Sequence, residues 1–114
     1  MKISCVIATC NRPKLLEIQL GSIFNQSRLP DEIIICEDLP STENQTTVSK
    51  FTNPNIQITY VENEKTLGMV KNFNKALGYC TGDLIFLCDD DDIWFENKIE
   101  KISDQMKLDE NIIA

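Results

Sequence analysis

Apolar positions along this chain alternate between short continuous runs and sets at helical spacing. Ile3 to Ala8 is a continuous apolar run, the pattern of a strand covered on both faces. Asn11 and Pro13 suit a helix start, and Leu15, Leu16, Ile18, Leu20, Ile23 and Phe24 then recur at helical spacing. Ser27 to Asp31 breaks that pattern, and Ile33 to Cys36 predicts a second strand. The polar stretch Glu37 to Gln45 reads as a loop, followed by a short helix around Thr46 to Phe51. Asn53-Pro54-Asn55 is turn chemistry, and Ile56, Ile58, Tyr60 and Val61 make a third strand. Gly68 to Tyr79 predicts a second long helix, closed at Thr81-Gly82 because glycine accepts the left-handed backbone of a helix C-terminus. Asp83 to Cys88 is a fourth strand ending in four aspartates, and Trp94 to Leu108 is a last helix with Ile99, Ile102 and Met106 on one face. Asn111 to Ala114 reads as the start of a fifth strand.

Strand and helix in alternation predict an α/β fold, a mostly parallel Rossmann-like sheet with helices on both faces. Such sheets bind ligands beyond the carboxyl ends of their strands. The segments of interest are therefore Thr9 to Arg12, Glu37 to Thr42, Glu62 to Gly68 and Asp89 to Asp92. A length of 114 residues suits one domain, and 42% hydrophobic with 25% charged residues excludes a disordered or collagenous chain. Eighteen acidic against eleven basic residues give a net charge of −7. That charge repels phosphate backbones, so no nucleic-acid partner is expected, and a phosphate-bearing ligand needs a metal ion or a local basic group. No apolar run reaches the roughly 18 residues of a membrane span, and the N-terminal run reads as a strand rather than a signal peptide. Five cysteines without a CxxC pair, and no histidine, argue against zinc and for reduced, mostly buried thiols in a cytosolic protein.

Asp89-Asp90-Asp91-Asp92 is the strongest chemical signal. In an extended segment alternate side chains share a face, so Asp89 and Asp91 would point together. Two converging carboxylates suit a hard divalent cation, Mg²⁺ or Mn²⁺. The plainer alternative is a solvated acidic loop, and the place of the run at a strand's carboxyl end favours the metal. An EF-hand loop counted from Asp89 puts Ile93 at a ligand position and Trp94 where glycine must turn the chain, so it fails. A Walker B reading lacks its GxxxxGK[ST] loop. No GxGxxG dinucleotide fingerprint follows the first strand.

Several segments, taken in order, resemble the family 2 glycosyltransferases, inverting enzymes of the GT-A fold. Val6 to Pro13 is similar to the family's opening strand and turn. Ile33 to Asp38, followed by Ser41-Thr42, is similar to its strand ending in paired acids. Asn63, Leu67-Gly68, Asn74 to Leu77 and Thr81 to Asp83 follow its central pattern. Leu87-Cys88-Asp89-Asp90-Asp91-Asp92-Ile93-Trp94 resembles its FLDxDDxW segment, which contains the DxD motif. Gly68 to Phe73, Phe86 to Asp89 and Asn97 to Ile99 also look like the rhamnosyltransferase-type members that build bacterial surface polysaccharide. The resemblance implies a metal-dependent enzyme moving a sugar from a nucleotide-diphosphate sugar to a glycan or lipid-linked acceptor, at the cytoplasmic face of the membrane.

Carried over residue by residue, the resemblance implies that Thr9, Cys10 and Asn11 line the nucleotide base pocket. Asp38 would hydrogen-bond the base, and Lys71 would assist at the base or phosphate. Asp89 and Asp90 would contact the donor, and Asp89 and Asp91 would hold the Mn²⁺ or Mg²⁺ that bridges the diphosphate. Three departures stand out: Cys10 replaces the usual tyrosine, Glu37 replaces the first of two aspartates, and Leu39-Pro40 interrupts the turn. The family's second half, with the acceptor site and the general base, has no match in residues 1–114. The chain therefore reads as a donor-binding half without a catalytic base of its own, and a non-catalytic nucleotide- and metal-binding module is the alternative. A third reading gives the aspartates to protein contacts. Trp94 is expected to pack the last helix on the sheet, Asp83 to tie the start of its strand, and Glu96 and Glu100 to be solvated. Asn74 is open to a structural or a ligand role beside an apolar face of Val70, Phe73 and Leu77, and an exposed sheet edge makes self-association an expectation.

Overall fold

The computed structural model describes residues 1–88 and 93–108. Four strands and four helices alternate: β1 (Ile3–Thr9), α1 (Pro13–Phe24), β2 (Glu32–Glu37), α2 (Thr42–Ser49), β3 (Gln57–Glu62), α3 (Met69–Leu77), β4 (Leu84–Cys88) and α4 (Lys98–Leu108). The sheet runs β3-β2-β1-β4, with every pairing parallel. This is the α/β sheet expected from the apolar pattern. The predicted fifth strand at 111–114 lies outside the described residues.

Every residue of β1 and β2 is buried, which is why these strands read as unbroken apolar runs rather than alternating ones. Their odd-numbered side chains Ile3, Cys5, Ile7, Ile33 and Ile35 pack with Leu16, Leu20 and Ile23 of α1 and Ile99 of α4, and Val48 of α2 joins them. Val6, Ile34 and Cys36 face the opposite way, onto Ala76, Phe73 and Leu77 of α3. Helices thus cover both faces. Each fully buried aliphatic side chain contributes about 1.5–3 kcal/mol, so this pair of strands supplies the largest share of the core. β3 is only half-buried, as a strand at the sheet margin should be.

Several boundaries differ from the sequence expectation, each for a local reason. α2 begins at Thr42 rather than near Thr46, because the Ser41 hydroxyl caps it by accepting the Asn44 N–H at 3.3 Å. α3 ends at Leu77, and Gly78 caps it with ordinary right-handed backbone. Gly82 is not a left-handed cap. It is needed because a Cβ there would lie 2.9 Å from the Ser4 backbone N and 3.1 Å from the Lys2 carbonyl. α4 starts at Lys98, leaving Trp94 before the helix, where its ring meets Phe86 with centroids 5.7 Å apart and carries the Lys98 ammonium 4.2 Å above it. The tie expected of Asp83 is present: its Oδ2 accepts the Lys2 N–H at 2.9 Å. Glu96 and Glu100 are exposed, and Glu100 also accepts the Ser27 hydroxyl at 2.6 Å.

The amino ends of the strands are locked by a buried carboxylate. Glu32 accepts the Ser4 hydroxyl, and it accepts the Thr81 N–H at 2.7 Å. Burial pushes the Glu32 carboxyl up, but the Ser4 and Thr81 donors and the Lys2 charge outweigh it and hold the group below its ordinary range. None of the five cysteines forms a disulfide, and Cys5, Cys36 and Cys88 are buried. Burial, with the Glu32 charge, pushes the Cys80 thiol up to about 11.

Candidate functional site

Parallel strands bring their carboxyl ends to one side of the sheet, where Thr9, Glu37 and Glu62 lie in register. β4 ends beside them at Cys88, paired with Ile7. The chain leaves β1 through a tight turn in which Asn11 takes a left-handed φ of 49°. Its N–H donates to Glu37 at 2.7 Å. Between this turn and the segment before α3 lies a cavity of about 170 Å³, walled by Ala8, Thr9, Cys10, Asp38, Thr66, Gly68, Met69 and Asn72.

Asp38 organises the far wall. Its Oδ1 accepts the Leu67 N–H at 2.7 Å and the Asn63 side-chain amide at 3.0 Å, and its Oδ2 accepts the Gly68 N–H at 2.8 Å. Gly68 adopts φ 89°, a conformation that glycine reaches without a Cβ penalty, and this turns its N–H inward. Burial pushes the Asp38 carboxyl up, yet these donors and the Lys75 charge prevail and hold it below the ordinary aspartate range. Asp38 is therefore an ionised, acceptor-only group at neutral pH. Behind it runs a polar relay: Lys75 donates to Asn63 at 2.9 Å, Asn63 to Asn72 at 2.8 Å, and Asn72 to the Cys36 carbonyl at 3.0 Å.

On the near wall, Thr9 is 1% exposed. Its hydroxyl is buried without a hydrogen-bond partner among the described residues. The cavity thus sets a fixed carboxylate among the small or soft walls of Ala8, Cys10 and Met69. A wider hollow of about 530 Å³ opens beyond β3, lined by Glu62, Glu64, Lys65 and Lys75.

Of the residues expected at the site, Thr9, Cys10 and Asp38 converge on this cavity. Asn11 is exposed in the adjoining turn, and Lys71 is exposed on α3; neither lines the cavity wall. Asp89, Asp90 and Asp91 lie outside the described residues. Asn63 and Gly68 fall in the Glu62 to Gly68 segment that the strand-end rule singled out, whereas Met69 and Asn72 gain site positions that the apolar pattern did not reveal. The buried polar face of α3 carries Asn72, whereas Val70, assigned to its apolar face by spacing, is 74% exposed. Asn74 is exposed.

Comparison with known proteins gives a consistent family and fold. The family model "Glycosyl transferase family 2" matches residues 4–114. YwdF of Bacillus subtilis (strain 168), an uncharacterized glycosyltransferase, is 41% identical over 94% of this chain and 39% of its own length. WfgD of Escherichia coli, a UDP-Glc:alpha-D-GlcNAc-diphosphoundecaprenol beta-1,3-glucosyltransferase, is 29% identical over 96% of this chain and 42% of its own. The chain spans about two-fifths of the length of these curated relatives. In structure, residues 1–349 of S. aureus TarS in complex with UDP superimpose with a TM-score of 0.84 at 22% identity, covering 95% of this chain and 32% of that one.

Proposed function

The chain belongs to glycosyl transferase family 2, and we propose that its strand-end cavity holds the nucleotide of a nucleotide-diphosphate sugar. The sugar, a hexose or deoxyhexose, would pass to a glycan or lipid-linked acceptor during surface polysaccharide synthesis. The convergence of an ionised Asp38, fixed by the Leu67 and Gly68 N–H groups, with Ala8, Thr9 and Cys10 on one strand-end cavity carries this reading. The acceptor-only Asp38 carboxylate suits a planar ring that presents an N–H donor. Cys10 and Asn11 would flank the base, and Lys71 would serve the base or diphosphate.

The aspartate run supplies carboxylate oxygens, the donor type that a hard divalent cation takes, and it continues from Cys88 at the carboxyl edge of the sheet. The residues present thus fit Mg²⁺ or Mn²⁺, held by Asp89 and Asp91 with Asp90 toward the donor. A bound cation would neutralise charge on the departing diphosphate. In the transfer, the acceptor hydroxyl oxygen bonds to the anomeric carbon as that carbon's bond to the diphosphate breaks. The hydroxyl proton goes to a general base, which this reading places in the part of the relatives beyond the stretch matched here. Residues 1–114 are accordingly read as a donor-binding half, and the relatives' greater length supports that.

No helix among the described residues is long and apolar enough to cross a membrane. The diphosphoundecaprenol acceptor in the WfgD name supports work at the cytoplasmic membrane surface. Self-association through an exposed sheet edge completes the reading, and sedimentation over a concentration series checks it.

A thermal-shift titration with UDP, dTDP and GDP, each with and without Mn²⁺, tests the donor site. Binding to the folded state alone adds about 2.7 kcal/mol at a hundredfold excess over Kd. One nucleotide should stabilise the protein in a Mn²⁺-dependent way, and Asp91→Asn should remove that dependence. No shift with any pair defeats the donor-site reading, and sugar transfer by residues 1–114 alone defeats the donor-half reading.

A further inference from the structure

We infer that Glu37 is a positioning residue for donor binding: its buried carboxylate holds the turn after β1 and the turn after β2 at the separation the cavity requires. The inference rests on the donor-site reading above. Glu37 is the last residue of β2 and is fully buried. Its Oε2 accepts the backbone N–H of Asn11 at 2.7 Å and that of Leu39 at 2.9 Å, while its Oε1 accepts the side-chain amide of Asn44 on α2. One side chain therefore ties together three segments, just beyond the last backbone bond between β1 and β2, from the Asp38 N–H to the Thr9 carbonyl at 2.8 Å.

Each tied segment bears on the cavity. Asn11 follows Cys10, which lines it, and Asp38 precedes Leu39. Asn11 sits at a φ of 49°, a region that an L-residue other than glycine occupies at a cost and that asparagine tolerates best. A hydrogen bond from its N–H to a fixed acceptor selects that conformation. Stability alone does not explain a carboxyl here. Burial pushes the group above its ordinary range, the N–H donors act against that, and the neighbouring Asp38 charge adds to it. Ionising Glu37 thus costs the fold something, and what the carboxylate supplies in return is two acceptor oxygens in fixed directions.

Two substitutions separate positioning from bulk. Glu37→Gln keeps one oxygen for the two backbone N–H groups. Its NH2 can donate to Asn44 Oδ1, which is buried without a partner among the described residues, if the Asn44 amide turns over. Glu37→Met keeps the volume and removes every acceptor. In the full-length protein with Mn²⁺, UDP affinity is measured by calorimetry well below the melting temperature. There a purely structural residue leaves the folded protein's Kd unchanged.

Glu37→Met should weaken UDP at least on the order of ten-fold, the scale of a slightly misplaced binding group, while Glu37→Gln stays within about three-fold. Amide hydrogen exchange at Asn11 and Leu39 should speed up in the methionine variant and stay slow in the glutamine variant. A folded methionine variant that binds UDP like wild type overturns the inference and leaves the donor-site reading standing. If that variant does not fold, Asn44→Ala, which frees Oε1 but leaves the cavity wall intact, takes its place; an unchanged UDP affinity there is equally fatal. Wild type that binds none of UDP, dTDP and GDP brings down both readings.

Discussion

Both oxygens of Asp38 reach the segment before α3, through the N–H groups of Leu67 and Gly68 and the amide of Asn63. In Asp38→Asn one oxygen becomes an NH2 facing an N–H donor. Hydrogen bonds to charged groups contribute about 1.5–3 kcal/mol each, so urea titration should show a loss of about 2 kcal/mol. A loss below about 0.5 kcal/mol, the scale of an ordinary surface change, would show the clamp to be dispensable. Two adjacent acids here have opposite pH signs. Asp38 is held below its ordinary value of 3.8, so its contribution is complete above that pH and is lost as pH falls through the folded value. Glu37 is held above 4.5, so its ionisation costs stability, and that cost disappears as pH falls toward 4.5. The stability of Glu37→Gln relative to wild type should therefore be greatest near neutral pH and shrink on acidification. A gap that stays constant, or that widens in acid, contradicts this assignment. Asp38, one residue beyond β2, was legible as part of a strand-end segment, and its role came from the family resemblance. Its partner relay was not, since helical spacing put Val70 inward, whereas the polar contacts of Asn72 with Asn63 and the Cys36 carbonyl set which face of α3 is buried.

At the scale of elements, periodicity located every strand and helix among the described residues, and its errors fall where polar chemistry sets a boundary. The continuous runs of β1 and β2 were readable because burial on both faces demands apolar residues at every position. α2 was half missed because its mean character is polar and its start depends on the Ser41 cap. Gly82 was legible as a necessary glycine but for the wrong reason: parallel pairing of β1 and β4 brings backbone against its α-carbon. Gly82→Ala would set a Cβ 2.9 Å from the Ser4 backbone N, and overpacking of this kind costs about 1–3 kcal/mol. Gly21, inside α1, has nothing within 4 Å of the equivalent position. Gly21→Ala should instead stabilise by about 0.5–1 kcal/mol through helix propensity. Thermal melts of the two variants should move in opposite directions. A Gly82→Ala protein that melts like wild type would mean the β1–β4 junction is looser than its distances indicate.

At the scale of the whole molecule, four parallel strands deliver their carboxyl ends to one side, β2 and β3 closing on Glu37 and Glu62, and the chain carries a net charge of −7. A nucleotide diphosphate approaching this surface meets repulsion that Lys65 and Lys75, beside Glu62 and Glu64, only partly offset. The proposed site therefore differs from a basic phosphate cleft, in which added salt weakens binding by screening attraction. Without a divalent cation, raising the ionic strength should leave UDP affinity unchanged or strengthen it slightly, because the screened interaction is repulsive. The effect should be gathered by about 0.1–0.15 M, where the Debye length has shrunk to roughly 8–10 Å. With Mn²⁺ the same salt series should weaken binding, since the attraction being screened is then that of the cation for phosphate. Calorimetric titration with UDP at three salt concentrations, with and without Mn²⁺, measures both slopes. Opposite signs are what an acidic surface with a carboxylate-held cation requires. Weakening by salt in both series would instead locate phosphate binding at the lysines and remove the aspartate run from the account of donor recognition.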